Sequence, residues 1–248
     1  MTVDATTPAG ASVSFDASAS DAGGGTLQAV CEPASGATFP VATTTVQCRA
    51  SDSRGQSTSG TFSVHVNGAG EQIDNLNGAV EAMNLDRKLA DDLRAKLAVP
   101  TKKLGNPKDA CDAMSDFPAT VIDEAGKKTP RITIPQAQQL TGRAVTVEGA
   151  LGCIPPGSPI GDAAHGLLEL MQAIGGLGLN DGQTNELVGK AANAGKRLVE
   201  RKADDACRGL TELAKKINDD AGKKDKLTDE QAAQLIASVA RIRSSLDC

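Results

Sequence analysis

The sequence predicts a multidomain protein in which an all-β unit is followed by two all-α units of similar design. Three observations support this fold class. Residues 1–68 contain short runs in which apolar and polar side chains alternate, whereas from Ile73 onward apolar residues recur every three or four positions. These are the periods of a half-buried strand and of an amphipathic helix. Much of the helical part then occurs a second time in the sequence.

Composition limits both the size of the cores and the classes of partner. The 248 residues include four Phe and no Trp or Tyr, so the cores must be built from aliphatic side chains. A unit of about 60 residues hides only about 60% of its unfolded surface, so covalent crosslinks would help to stabilise it. The formal net charge of -5 argues against nucleic acid or an anionic membrane as a partner. No apolar run approaches the ~18 residues that span a bilayer.

The clearest strand prediction within residues 1–68 is a β-hairpin. Apolar residues alternate with polar ones in two runs, 46–50 and 62–66, and a turn that ends at Gly55 separates the runs. Phe62 falls on the apolar side of its run, which predicts a core position. Shorter runs at 11–15 and 27–31 are bounded by clusters rich in Gly and Pro, including Gly23-Gly24-Gly25. Short strands with regular turns are typical of a β-sandwich.

The same region carries a dense motif between its two cysteines and the hairpin turn. Its positions are Cys31, Pro33, Ser35, Gly36, Phe39, Pro40, Thr43, Thr45, Val46, Cys48, Ala50, Asp52 and Gly55. This pattern resembles the HYR (hyalin repeat) domain, an immunoglobulin-like module of extracellular and cell-surface proteins. The chain departs from the family pattern at Ala42, where Gly is usual, and lacks a further cysteine pair. The resemblance implies an immunoglobulin-like sandwich over 1–68 with a non-catalytic role in adhesion.

The six cysteines occur as three neighbouring pairs along the chain. No C-x-x-C motif is present, and with only two His the chain lacks a good set of zinc ligands. Three disulfides, Cys31–Cys48, Cys111–Cys153 and Cys207–Cys248, are one interpretation, and buried free thiols are the other. Disulfides indicate an extracellular or cell-surface location. The first residues do not have the pattern of a signal peptide, so we expect that Met1 is an internal residue of a longer secreted protein.

The helical part is an internal duplication. Leu76, Leu85, Leu93, Lys96 and Leu104 recur at one constant offset as Leu170, Leu179, Leu187, Lys190 and Leu198. The Asp-Ala-Cys sequence at 109–111 recurs at 205–207, and the Ala-Gly-Lys-Lys sequence at 125–128 recurs at 221–224. Each copy is predicted to form a bundle of about four helices, clipped by its own disulfide. The second copy carries Lys226-Leu227-Thr228-Asp229-Glu230-Gln231-Ala232, which resembles a turn of the FIMAH-type helical modules of secreted bacterial proteins. The first copy departs from this pattern over residues 131–137.

The predicted domain boundaries follow from these patterns. Residues 1–68 form the β unit, 72–153 the first helical repeat and 160–248 the second. The segment 67–70 is predicted to be a linker, and the Pro-rich segment 154–159 a stiff, extended spacer between the repeats. The first helical pair is expected to end at Val99-Pro100, because Pro removes a backbone donor.

No motif in the sequence indicates catalysis, a cofactor or a metal. His65 and His165 lack a neighbouring nucleophile motif, and the Asp-Asp pairs at 91–92, 204–205 and 219–220 do not have the spacing of an EF-hand. These acidic pairs are predicted to lie on solvated helix faces. Thr228 and Gln231 have the spacing of a capping box, a structural signal at a helix start. Lys127-Lys128 and Lys223-Lys224 are expected to stabilise helix ends rather than bind a polyanion.

The functional prediction is a non-catalytic extracellular or cell-surface module for adhesion, spacing or protein–protein interaction. Its partner would be a protein or a component of the cell surface or cell wall, with no nucleic acid and no membrane insertion. Alternatively, the chain is the accessory C-terminal region of a larger secreted hydrolase whose catalytic domain lies upstream. A cytoplasmic helical protein with reduced cysteines is the third possibility.

Overall fold

A computed structural model describes residues 1–20, 25–224 and 226–248. Two glycines of the predicted turn cluster, Gly23 and Gly24, lie outside these residues. The described part is rich in strands up to Asn67 and helical thereafter, which confirms the predicted order of a β region followed by an α region. The strands are β1 Thr2–Asp4, β2 Ala11–Ser12, β3 Ser18–Ser20, β4 Thr26–Gln28, β5 Val30–Glu32, β6 Thr38–Phe39, β7 Ala42–Ser51 and β8 Ser57–Asn67.

The predicted hairpin is the longest element of the β region. β7 and β8 pair antiparallel from Ala42↔Val66 to Ser51↔Ser57 without interruption. Asp52 closes the turn, because its carboxylate accepts hydrogen bonds from the backbone N–H groups of Arg54 and Gln56 at 2.9 and 2.8 Å. Gly55 has a φ of 82°, a left-handed conformation that costs a glycine little.

This hairpin is the centre of a four-stranded sheet with the order β1-β8-β7-β5, in which β1 runs parallel to β8. The pairs β2-β6 and β3-β4 form two smaller sheets. The core between the strands contains Val13, Phe39, Val46, Val64 and Val66, and the rings of Phe15 and Phe62 meet edge to face against it. Phe62 is partly buried there, in keeping with its predicted core position.

Nine helices follow within the described residues. They are α1 Ala69–Ala82, α2 Arg87–Lys102, α3 Pro107–Met114, α4 Asp116–Ala125, α5 Ile134–Leu151, α6 Ile160–Gly175, α7 Asp181–Val199, α8 Ala203–Asp220 and α9 Asp229–Ser245. Helices α1–α5 pack around one another, and so do α6–α9. The sequence matching α8 is split into α3 and α4, because Pro118 cannot donate to the carbonyl four residues earlier.

The prediction that the first helical pair ends at Val99-Pro100 is wrong. α2 continues through the buried Pro100 to Lys102. The Thr101 hydroxyl donates to the Leu97 carbonyl at 2.9 Å, and the Lys103 N–H donates to the Pro100 carbonyl at 2.9 Å. A proline this close to a helix end removes a single backbone bond, and its burial against the core offsets that loss.

The segment 154–159 does not act as an extended spacer. Ile154 is buried, Gly157 has a φ of 74°, and the Ser158 N–H donates to the Pro155 carbonyl at 3.1 Å. The segment is therefore a compact turn. It brings α6 against α5, while α4 packs against α7, and one continuous hydrophobic core runs from Ile73 in α1 to Ile242 in α9.

The predicted linker at 67–70 is also shorter than expected, because a single residue, Gly68, separates β8 from α1. The buried amide of Gln72 in α1 reaches back and donates to the carbonyls of Ala5 at 2.9 Å and Asn67 at 3.0 Å. On the other side of the junction, a Cβ at Gly149 of α5 would lie 2.8 Å from the Thr6 carbonyl oxygen. The β region therefore rests directly on α1 and α5.

Candidate functional site

All six cysteines lie in disulfides in the structure. Cys31 and Cys48 face each other across β5 and β7, with their Cα atoms 4.0 Å apart. Cys111 in α3 is bonded to Cys153, just after α5, and Cys207 in α8 is bonded to Cys248, just after α9. Each crosslink in the helical part thus ties the end of a bundle's last helix to the helix that packs beside it.

The two capping boxes begin helices α5 and α9 in the same way. Thr133 accepts from the Gln136 N–H and Thr228 accepts from the Gln231 N–H, and each glutamine side chain accepts from the backbone N–H of its threonine. The amide of Gln136 also donates to the Met83 carbonyl at 3.2 Å, and that of Gln231 donates to the Leu177 carbonyl at 3.4 Å. The predicted cap at Thr228 is therefore confirmed. In each bundle, the capping glutamine also ties the last helix to the end of the first helix.

The solvated position predicted for the Asp-Asp pair at 219–220 is wrong for Asp220, which is 2% exposed. It forms ion pairs with Lys226, across a tight turn, and with Lys216 at 3.3 Å. Burial raises the pKa of Asp220, but hydrogen bonds from Lys226 and Lys216 outweigh this effect, and the pKa lies below its usual value.

Glu124 at the end of α4 has the corresponding position in the first bundle and is 3% exposed. Its carboxylate accepts from Arg131 Nε at 2.9 Å and is also bonded to Lys127. The hydrogen bond from Arg131 is the main reason why the pKa of Glu124 is lowered. Sequence reasoning missed this site, although an acidic residue immediately before each Ala-Gly-Lys-Lys sequence was a visible signal.

A third buried carboxylate, Glu148 of α5, lies where the two bundles meet. Its Oε1 accepts from Arg201 Nη1 at 3.4 Å, and its Oε2 has no hydrogen-bond partner within the described residues. Burial raises the pKa of Glu148 to about 7, although the Arg201 charge acts in the opposite direction. Arg201 follows α7 and also donates to Asp112 of α3 at 3.2 Å, so its guanidinium connects the second bundle with two helices of the first.

The two histidines each contact neighbouring polar side chains. His65 lies between Thr43 Oγ1, 2.8 Å from its Nδ1, and Glu71 Oε1, 3.0 Å from its Nε2. His165 pairs with Glu169, one turn along α6, at 3.3 Å. The described residues contain no group of three or more His, Cys, Asp or Glu side chains that could hold a metal ion.

The helices of the described region are all too short or too polar to cross a lipid bilayer. The features found so far are crosslinks, caps and buried ion pairs, and each of them contacts neighbouring parts of the chain. Their chemistry is that of structural stabilisation.

Comparison with known proteins identifies the N-terminal region. Searches of curated proteins and of solved structures returned no match. The family model of the HYR domain, an extracellular module of the cell-adhesion type, matches residues 3–66. This match confirms the resemblance predicted from the motif between Cys31 and Gly55: the β region of the chain matches the HYR domain.

Proposed function

We propose that the protein is a non-catalytic extracellular or cell-surface module that acts in adhesion, spacing or protein–protein interaction. The observation that carries this proposal is the HYR match over residues 3–66. The buried ion pairs and the histidines support it, because their side chains are occupied by contacts within the fold. The proposed partner is a protein or a component of the cell surface or cell wall. We propose neither nucleic-acid binding nor membrane insertion.

The architecture proposed for this role is an immunoglobulin-like sandwich over 1–68 followed by two helical repeats, 72–153 and 160–248. Two recurring contacts support the repeats. The capping boxes at Thr133 and Thr228 each tie a last helix to a first one. The carboxylates Glu124 and Asp220 are each buried against cations across a turn. The repeats would act as one rigid block, since a single core runs through both.

An extracellular location follows if the crosslinks form in the native protein. In the chain-entropy model, closing a loop of the length between Cys111 and Cys153 stabilises a fold by about 4 kcal/mol. That is comparable with the whole stability of a small domain. Without oxidation, the helical bundles would depend on aliphatic cores that contain a single phenylalanine, Phe117.

Thiol titration of the native protein tests the location. Under denaturing conditions without reductant, we expect none of the six cysteines to react with a thiol reagent, and all of them to react after reduction. Six reactive thiols in protein purified without oxidant would contradict an extracellular role.

The interaction role is tested by binding of the labelled full chain to intact source cells. We expect saturable binding that the unlabelled chain displaces. Protein that has been reduced and alkylated is the matched control, and it should bind less because its fold has lost three crosslinks. Binding that neither saturates nor responds to competitor would exclude an adhesive function.

A further inference from the structure

The corner between α7 and α8 consists of Glu200, Arg201 and Lys202 and lies against the first bundle. It ends α7 with a Schellman motif, in which the Arg201 N–H donates to the Leu198 carbonyl and the Lys202 N–H donates to the Arg197 carbonyl, both at 2.9 Å. The residue at the place of Arg201 in this motif is left-handed and usually glycine. Arg201 has a φ of 60°, which is unfavourable for a residue with a side chain. The corner therefore needs a contact that offsets this cost.

The side chain of Arg201 supplies that contact. Its guanidinium donates to Asp112 of α3 at 3.2 Å and to Glu148 of α5 at 3.4 Å. Both partners belong to the first bundle, so this side chain holds the corner against that bundle. Loss of the two contacts would leave the left-handed backbone uncompensated. The two hydrogen bonds at the end of α7 would then open as well.

The surroundings of Glu148 are unfavourable for a negative charge. Its side chain is fully buried, and its Oε2 accepts no hydrogen bond from the described residues. Glu148 also lies in the last turn of α5, where the helix dipole disfavours an anion. The Arg201 charge lowers the pKa of Glu148, but burial has the larger effect and raises it to about 7. The closed corner therefore binds the Glu148 proton more tightly than an open corner in which water reaches the carboxyl group.

Arg201 is the charged group of the described residues that acts on the pKa of Glu148. Asp112, which faces the same guanidinium, is largely exposed. Charged side chains on the other elements around α5 are paired elsewhere. These pairs are Glu71–His65 at the start of α1, Glu124–Arg131 after α4, His165–Glu169 in α6 and Glu200–Lys202 in the corner. The pH response of the corner therefore depends on a single carboxyl group.

We propose that Glu148 and Arg201 form a pH-sensitive latch between the two bundles. While Glu148 is protonated, Arg201 stays between Glu148 and Asp112 and the corner is closed. Loss of the proton favours hydration of the carboxylate, so the corner detaches from α3 and α5 and the end of α7 unwinds. The core shared by the two bundles remains intact in both states. The latch is a property of the fold and does not depend on the proposed adhesive role.

Amide hydrogen exchange of the full chain tests the latch. The reporters are the N–H groups of Arg201 and Lys202, with each rate divided by the intrinsic exchange rate at the same pH. Between pH 5 and pH 8 their protection should fall by up to about 70-fold, because opening gains about tenfold per pH unit between the pKa values of the closed and open states. Low concentrations of urea should hardly change their exchange, since a local opening exposes little surface. The amide of Ala194, buried in the middle of α7, should be sensitive to urea because its exchange requires unfolding.

Three variants separate the latch from general destabilisation. Glu148→Gln cannot ionise, so its corner should stay protected at both pH values. Arg201→Gly gives the helix end the residue that tolerates a left-handed backbone and removes the link to Glu148, so protection of its corner should no longer change with pH. Glu212→Gln, at an exposed position of α8, is the matched control and should keep the pH dependence of the wild type. Circular dichroism of each variant checks that the helices are preserved.

Three outcomes would overturn the proposal. The first is the same pH dependence of corner protection in the wild type and in Glu148→Gln. The second is the wild-type pH dependence in Arg201→Gly, which would show that the end of α7 responds to pH without the latch. The third is a urea dependence at Arg201 and Lys202 equal to that at Ala194, which would show that the corner opens only when the protein unfolds.

Discussion

Among the described residues, protonation of Glu148 should have a large effect on stability. Its folded pKa is raised to about 7 from 4.5, so between these values the folded state binds a proton that the unfolded state releases. The resulting stabilisation is complete below pH 4.5 and is lost as the pH rises through 7. A pKa shift of this size corresponds to a change of about 3 kcal/mol in the free energy of unfolding. The lowered pKa values of Glu124 and Asp220 act in the opposite direction, and their contribution is lost on acidification.

The substitution Glu148→Gln should remove this dependence. We expect the free energy of unfolding of the wild type to fall by up to about 3 kcal/mol between pH 5 and pH 8. The variant should have a much flatter profile over the same range. Urea denaturation at both pH values measures the difference, and Glu212→Gln, at an exposed position of α8, is the control. Parallel profiles for wild type and Glu148→Gln would contradict the assignment.

The cations that pair with the buried carboxylates could not be predicted from the sequence. Asp219 and Asp220 are adjacent and chemically identical, yet only Asp220 is buried. Its burial depends on Lys226 crossing the turn and on Lys216 one helical turn earlier. Helical periodicity describes one helix at a time, so it cannot show a cation supplied by the following loop. The contact between Glu148 and Arg201 joins two bundles and has no local signal.

At the level of elements, helix starts were predictable and several ends were not. A capping box is a contact between residues three apart, so Thr228 with Gln231 could be recognised directly from the sequence. The end of α2 could not be predicted, because Pro100 lies inside the helix at a buried position. The hairpin was predictable from its period of two and its turn. Residues 27–31 were expected to form one strand, but they are divided between β4 and β5. The backbone N–H of Ala29 donates instead to the Ala17 carbonyl, and a contact between residues so far apart in the sequence has no local signal.

The capping boxes give a prediction for the two bundles. Thr133→Ala and Thr228→Ala should each lower the free energy of unfolding by about 1 kcal/mol, because each removes an acceptor for an otherwise unpaired backbone N–H. Thr→Ser at either position keeps the acceptor and should have little effect. Thermal or urea unfolding measures all four variants. If the Ser and Ala variants lose the same free energy of unfolding, the threonine hydroxyl does not stabilise these helix starts.

At the level of the whole molecule, the main difference from expectation is that the two bundles are continuous. The sequence duplication predicts two similar sets of helices, but it contains no information on how they pack. Close approach between them needs small residues at particular places. A Cβ at Gly126, after α4, would lie 2.3 Å from the Cβ of Ala192 in α7. Such a pairing is visible only once the helices are assembled.

A shared core predicts cooperative unfolding of the helical part. Leu167 of α6 is fully buried, and Leu167→Ala should cost about 2–5 kcal/mol. Hydrogen exchange should then accelerate to a similar extent for protected amides of α2 in the first bundle and α7 in the second. Leu104→Ala, at a more exposed position, is the control and should change little. Acceleration confined to α6–α9 would show that the bundles unfold independently.

The parallel pairing of β1 with β8 also determines how the β region carries tension. A pull between Met1 and the helices draws the two strands in opposite directions along their length, since β8 continues into α1 through Gly68. The hydrogen bonds between them are then loaded in shear and share the force, rather than opening one after another. The fold is thus arranged to transmit a mechanical load from its amino end to the helical block, a property that suits a protein holding two surfaces together.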